Sequence, residues 1–195
     1  MKRIGVLAFH GDVAEHLLAT RQAADRLRLK LAVVEVRNKE SVRNLDGLIL
    51  PGGESTTLFK LCREEGLWSL MKKLPAIFGT CAGAITLAKT VLHKETGQET
   101  LELMDITIDR NAYGRQTESF EKKIATQLGS MEAIFIRAPR IKSIGDQVKV
   151  LAKNNGEIIA CEQRSGGKFY LAACFHPELT TTKFHEYFLK KVVKI

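Results

Sequence analysis

The chain has 195 residues, 45% of them hydrophobic and 27% charged, the balance of a soluble globular protein with enough length for one substantial core. No apolar run approaches the roughly 18 residues that a membrane span needs, which excludes a helical membrane protein. The net charge of +8 comes from scattered basic residues with acidic ones between them, which argues against nucleic acid and for a solvated surface or an acidic protein partner.

The chain opens with "RIGVLAF" (3–9), a short apolar run read as a first strand. It leads into "HGDVAEH" without a small-residue cleavage site, so it is not a signal peptide, and a cytoplasmic protein is expected. Over 12–28, Val13, Leu17, Ala24 and Leu27 recur at helical spacing behind Asp12, a candidate N-cap. "LAVVEV" (31–36) is strand-like, and "LDGLIL" (45–50) is an apolar run ended by Pro-Gly-Gly. Residues 54–73 read as a helix broken at Gly66, 76–80 as a fourth strand, and 82–92 as a further helix. Strands alternating with helices of this length predict a parallel sheet covered on both faces.

After the polar segment "HKETGQETLE" (93–102) the pattern changes. "MDITIDR", "EAIFIRAP", "QVKVLAKNNGEIIACEQ" and "KFYLAACFH" read as strands, with an Asn-Gly hairpin turn inside the third. "TKFHEYFLKKVVK" closes the chain as a helix. With no internal repeat or linker, a single domain over 1–195 is expected. Cys62, Cys81, Cys161 and Cys174 form no C-x-x-C pair, which argues against disulfides and against a metal site.

Three stretches carry candidate chemistry. "GTCAG" (79–83) has the form G-x-C-x-G between a strand and a helix, the cysteine counterpart of the nucleophile elbow. Such a turn would present Cys81 at the carboxyl edge of the sheet, with a helix N-terminus favouring its thiolate. Taken alone, the stretch equally suits a core cysteine with two glycines for tight packing. "FHPELT" (175–180) ends a strand. On extended chain His176 and Glu178 would face the same side, as a base and its orienting carboxylate, although an isolated H-P-E is more commonly surface chain. "LILPGGEST" (48–56) offers backbone N–H groups of Gly52 or Gly53 which, with that of Ala82, would make an oxyanion hole. Many strands end in Pro-Gly-Gly for no such reason.

In this order the three pieces resemble the class I triad glutamine amidotransferases. "GVLAFHGDVAEH" (5–16), "DGLILPGGESTTL" (46–58), "FGTCAG" (78–83), "RNAYGRQTESFE" (110–121), "FIRAP" (135–139) and "FHPELT" together narrow the likeness. They are similar to the family of glutaminase subunits of pyridoxal 5'-phosphate synthase, from the first strand to the last helix. Ile85 stands where many other class I glutaminases have Gln, which favours the same branch.

The resemblance implies an α/β fold, a flavodoxin-like doubly wound sheet, mostly parallel with antiparallel additions. It implies Cys81 as nucleophile, His176 as acid/base and Glu178 as its orienting partner. Gly53, Glu54, Ser55, Arg110, Ile136 and Arg137 match positions lining the family's L-glutamine site. The implied partner is a (β/α)8-barrel synthase subunit in a large hetero-oligomer, and no cofactor is implied. One departure is His10, where the family usually has Gln in the first-strand turn. Another glutaminase of the same class, or a non-enzymatic module on the same scaffold, are the competing expectations.

Overall fold

The computed structural model describes residues 1–110 and 119–195. In the first half, β1 (Lys2–Leu7), α1 (Val13–Arg26), β2 (Leu31–Val36), α2 (Lys39–Val42), β3 (Gly47–Leu50), α3 (Ser55–Glu64), α4 (Trp68–Met71), β4 (Ala76–Thr80) and α5 (Ala82–Leu87) follow in turn. The second half is mostly strand: β5 (Ala88–Leu92), β6 (Met104–Asp109), β7 (Phe120–Ile124), β8 (Met131–Phe135), β9 (Arg140–Ile144), β10 (Val148–Asn154), β11 (Glu157–Ser165) and β12 (Lys168–Ala173). A 3-10 turn (Pro177–Leu179) and α6 (Lys183–Val193) end the chain.

The main sheet runs β2-β1-β3-β4-β12-β11-β9-β6-β5, with β10 paired to β11, while β7 and β8 form a separate two-stranded sheet. The strands from β2 to β12 are parallel, and those from β12 to β6 are antiparallel neighbours. Strand geometry divides the core in two. Leu48 and Leu50 join one cluster with Leu58, Phe59 and Trp68 on the α3–α4 side. Ile49, between them, joins the other with Leu17, Phe184 and Phe188 on the α1–α6 side. Both faces are covered, which is why "LIL" and "AIF" read as unbroken apolar runs. Phe78, Phe184 and Phe188 are fully buried, and each contributes roughly 1.5–3 kcal/mol of burial.

The break at Gly66 is present, with φ +64 between α3 and α4. So is the hairpin turn, where Asn155 (φ 50) and Gly156 (φ 82) join β10 to β11. The helix expected over 82–92 is corrected. It stops at Leu87, and Ala88–Leu92 turns extended to pair with β6. The Leu101 and Leu103 N–H groups donate to the Thr86 and Leu87 carbonyls, which a longer helix would have used itself. Among the described residues, no helix is long and apolar enough to cross a membrane.

Candidate active site

The carboxyl ends of β1, β3, β4 and β12 lie side by side, and each delivers a turn to one place. At the end of β4, Cys81 adopts φ 47, ψ −106, a conformation that costs a non-glycine residue about 1–3 kcal/mol. Its N–H donates to the Ala173 carbonyl of β12 at 2.8 Å, and its own carbonyl accepts from Ala84 (3.1 Å) and Ile85 (3.2 Å). The flanking glycines are sterically required. A Cβ on Gly79 would run into the Gly83 backbone, and one on Gly83 into the Leu50 carbonyl. Cys81 Sγ lies 3.9 Å from the Ile136 carbonyl oxygen. The α5 helix has six residues, so its dipole is short, but the N–H of Ala82, its first residue, has no intrahelical acceptor.

At the end of β12, His176 Nδ1 lies 2.8 Å from Glu178 Oε1. The approach differs from the expected extended arrangement. Pro177–Leu179 forms a 3-10 turn that folds Glu178 back beneath the ring. A second carboxylate meets the same nitrogen, with Asp12 Oδ2 at 2.9 Å. The N-cap expectation for Asp12 is half right. It precedes α1, but its side chain caps no N–H and faces His176 instead. Burial alone would lower the His176 pKa, but hydrogen bonds with Asp12, Cys81 and Glu178 outweigh it and raise it to about 12. Burial alone would raise that of Glu178, yet His16 and His176 hold its carboxyl well below the usual carboxylate range.

Behind Glu178 lies a buried polar chain that sequence reasoning missed. His16 Nε2 is 3.3 Å from Glu178 Oε1 and 3.0 Å from Thr80 Oγ1, next to Cys81. His16 Nδ1 is 2.9 Å from His185 Nε2 on α6. An ionised carboxylate only accepts, so His16 Nε2 donates to it. Burial, then the neighbouring His16, pushes the His185 pKa down to about 3 from the ordinary 6.5. A depressed histidine contributes stability that is present above about pH 6.5 and lost as pH falls toward 3. The urea midpoint should therefore drop when pH is taken from about 7.5 to about 5, and His185→Gln, which keeps the bond but not the titration, should flatten that drop. An unchanged pH slope in this variant would remove His185 from the account.

Gly52 packs between the two candidate catalytic groups. A Cβ there would lie 2.5 Å from His176 Cε1 and 3.4 Å from Cys81 Cβ. Gly53 (φ +118) lies under the His10 ring. Glu54, Ser55 and Arg110 gather in a neighbouring cluster with Thr56 and Gln98, which sequence reasoning had also missed. Arg110 Nη1 donates to Gln98 Oε1 (2.8 Å) and Thr56 Oγ1 (3.1 Å), and its Nη2 to Glu54 Oε1 (3.1 Å). Gln98 Nε2 donates to Ser55 Oγ at 3.0 Å. The cluster borders an open cavity of about 330 Å³ lined by Glu54, Thr56, Lys60, Glu95 and Thr96. Burial opposes ionisation of Glu54, but Thr56 and Thr57 donate to it and bring its pKa down to about 2. Arg137, exposed and with φ 44, follows Ile136. The rest of the "RNAYGRQTE" stretch, 111–118, lies outside the described residues.

The other thiols are of a different kind. Burial pushes Cys62 and Cys161 up to about 12 and Cys174 well above the ordinary range, as expected of apolar core cysteines. One cluster among the described residues has the spacing of metal ligands: Asp12, His176 and Glu178, with donor atoms within 4.8 Å of one another. Hydrogen bonding from the imidazole to both carboxylates accounts for that spacing without a cation.

Comparison with known proteins bears on what this arrangement does. The SNO glutamine amidotransferase family matches residues 6–194. A pyridoxal 5'-phosphate synthase subunit PdxT from Pyrococcus furiosus is 45% identical over 202 residues, spanning 99% of this chain and 100% of the relative. The PdxT of Korarchaeum cryptofilum is 46% identical over 199 residues, spanning 98% of each. A crystal structure of a glutamine amidotransferase superposes with a TM-score of 0.82 at 42% identity, covering 97% of this chain and 98% of that one. A putative GMP synthase subunit from Thermoplasma acidophilum shares the fold at 17% identity, with a TM-score of 0.61 over 100% of this chain and 95% of that one.

Proposed function

The chain belongs to the SNO glutamine amidotransferase family, and on that premise we propose that it is the glutaminase subunit of a pyridoxal 5'-phosphate synthase. It hydrolyses L-glutamine to glutamate and ammonia with Cys81 as nucleophile, His176 as acid/base and Glu178 as the carboxylate that orients it. The observation that carries this reading is the arrival of Cys81 and His176 at the ends of neighbouring parallel strands, with His176 Nδ1 on Glu178.

The electrostatics suit the reaction. The carboxylates beside His176 favour its protonated form, and in the proposed reaction Cys81 acts as a thiolate next to that imidazolium. The thiolate attacks the side-chain amide carbon of glutamine. Backbone N–H groups of Ala82 and of Gly52 or Gly53 hold the oxyanion. His176 gives its proton to the departing ammonia, and the γ-glutamyl thioester remains. At that point the sulfur is neutral, so its share in raising the His176 pKa is gone. The imidazole can then take a proton from the water that hydrolyses the thioester.

Arg110, whose guanidinium already faces the carboxylates of Glu54 and Glu95 and two neutral oxygens, is the group that would hold the free carboxylate of glutamine. Gly53, Glu54, Ser55, Ile136 and Arg137 complete the proposed substrate site. Ammonia passes to a (β/α)8-barrel synthase subunit in a hetero-oligomer, which builds pyridoxal phosphate from a pentose phosphate and a triose phosphate. Four free, buried cysteines suit a reducing, cytoplasmic setting. The test is ammonia release from glutamine with the chain alone and with its synthase. Release should rise on adding the synthase, and pyridoxal phosphate should form once both sugar phosphates are present. A chain that releases no ammonia in either case overturns the reading.

A further inference from the structure

We propose that Asp12 is a positioning residue for His176, a second carboxylate that shares the Nδ1–H with Glu178 and holds the ring from the solvent side. The proposal rests on the reading of His176 as the acid/base. Its geometry is direct, with two carboxylate oxygens at 2.8 and 2.9 Å from one ring nitrogen. A single N–H pointing between two acceptors makes a shared bond, so each carboxylate supplies part of the restraint. Glu178 also divides its Oε1 between His176 and His16, which faces it at 3.3 Å. Asp12 supplements a carboxylate with more than one claim on it.

The local chemistry of the β1–α1 turn supports the assignment. Aspartate directly before a helix ordinarily accepts a first-turn N–H, and here that bond is not made. Asp12 adopts φ −81, ψ 53, and its carboxylate is directed to the ring. The two carboxylates also differ in setting. The Glu178 side chain is 0% exposed and that of Asp12 31%. Glu178 fixes the imidazole from the core, and Asp12 fixes it from the rim of the site, where the His10–Gly11 turn meets Gly52 and Gly53.

Four elements bring charged or titrating groups to this ring or its partners: the β1–α1 turn (Asp12), the β4–α5 elbow (Cys81), the 3-10 turn (Glu178) and α1, whose His16 acts through Glu178. Removing Asp12 leaves the imidazolium with one carboxylate, so it should lose its proton at lower pH. The ring should also wander more.

The experiment uses the chain in complex with its synthase and compares Asp12→Asn, Glu178→Gln, the double variant and His176→Gln. Asparagine is itself a good residue at a helix start, so the fold should hold. Two quantities are followed against pH: glutamine turnover, and the rate at which iodoacetamide alkylates Cys81. Asp12→Asn should lower kcat about tenfold, the scale of one hydrogen bond to a charged group, with KM for glutamine nearly unchanged. It should also move the alkaline limb of both profiles to lower pH. The double variant should lose more than the product of the single losses, because each carboxylate partly covers for the other. If His176→Gln is inactive while Asp12→Asn leaves the pH profiles in place, the proposal is overturned and the function stands. If His176→Gln keeps its activity, the acid/base reading fails and takes the proposal with it.

Discussion

Cys81→Ala is expected to release no ammonia from glutamine above background while keeping its fold and its hold on the synthase. The thiol is the only group in the proposed mechanism that forms a bond to substrate, so no neighbour can replace it. The same position offers a stability test that does not depend on turnover. At ordinary positions glycine is less stable than alanine, because the unfolded chain gains freedom. At φ 47 the order should reverse, since alanine keeps the steric cost of the elbow and glycine escapes it. Cys81→Gly should melt above Cys81→Ala by about 2–4 °C, the shift that ~1 kcal/mol produces in a domain of this size. Surviving ammonia release in Cys81→Ala would end the assignment. Equal melting of the two variants would mean that the elbow stores no strain.

The second large effect is expected from one added methyl group. Gly52→Ala places a carbon 2.5 Å from His176 Cε1, and the ring cannot retreat without giving up Asp12 and Glu178. Gly52 does not have a positive φ, so alanine there escapes the left-handed backbone penalty and the fold should survive. Misplacing a catalytic group by about 1 Å costs on the order of 10²-fold, so kcat should fall by at least that much. A circular dichroism melt close to that of the parent chain would separate this from unfolding. A near-normal kcat would show that the imidazole has room that its two carboxylates deny it, and would count against the proposed role of His176.

The sheet was legible because its strands are buried on both faces and end in punctuation: Pro-Gly-Gly after Leu50, Gly-Thr-Cys-Ala-Gly around Cys81, His-Pro-Glu after Phe175. Each mark falls at a carboxyl edge, so the pattern that gave the fold also gave the place. What could not be read depends on partners distant in the chain. Ala88–Leu92 has a helix-compatible start, and only pairing with β6 turns it into a strand. Asp12 reads as a cap because a cap is local and His176 is not. Gln98 lies in a polar stretch without periodicity, yet it bridges Ser55 and Arg110. His16 and His185 sit on amphipathic helices where any buried residue would satisfy the spacing, and only the packed α1–α6 pair brings their nitrogens to 2.9 Å.

The neighbouring of β4 and β12 has a consequence for how the protein is made. These strands come from opposite halves of the chain, and between them is synthesised all of the antiparallel extension. A nascent chain that has emerged just past β4 carries Cys81 but neither the Ala173 carbonyl that its N–H bonds to nor the His176 imidazole that meets its side chain. Pairing across so long a loop comes late in folding. Until then the proposed nucleophile and its proposed base are apart. Under the proposed mechanism the site is completed only by the last strand, so a truncated or half-folded chain should not consume glutamine.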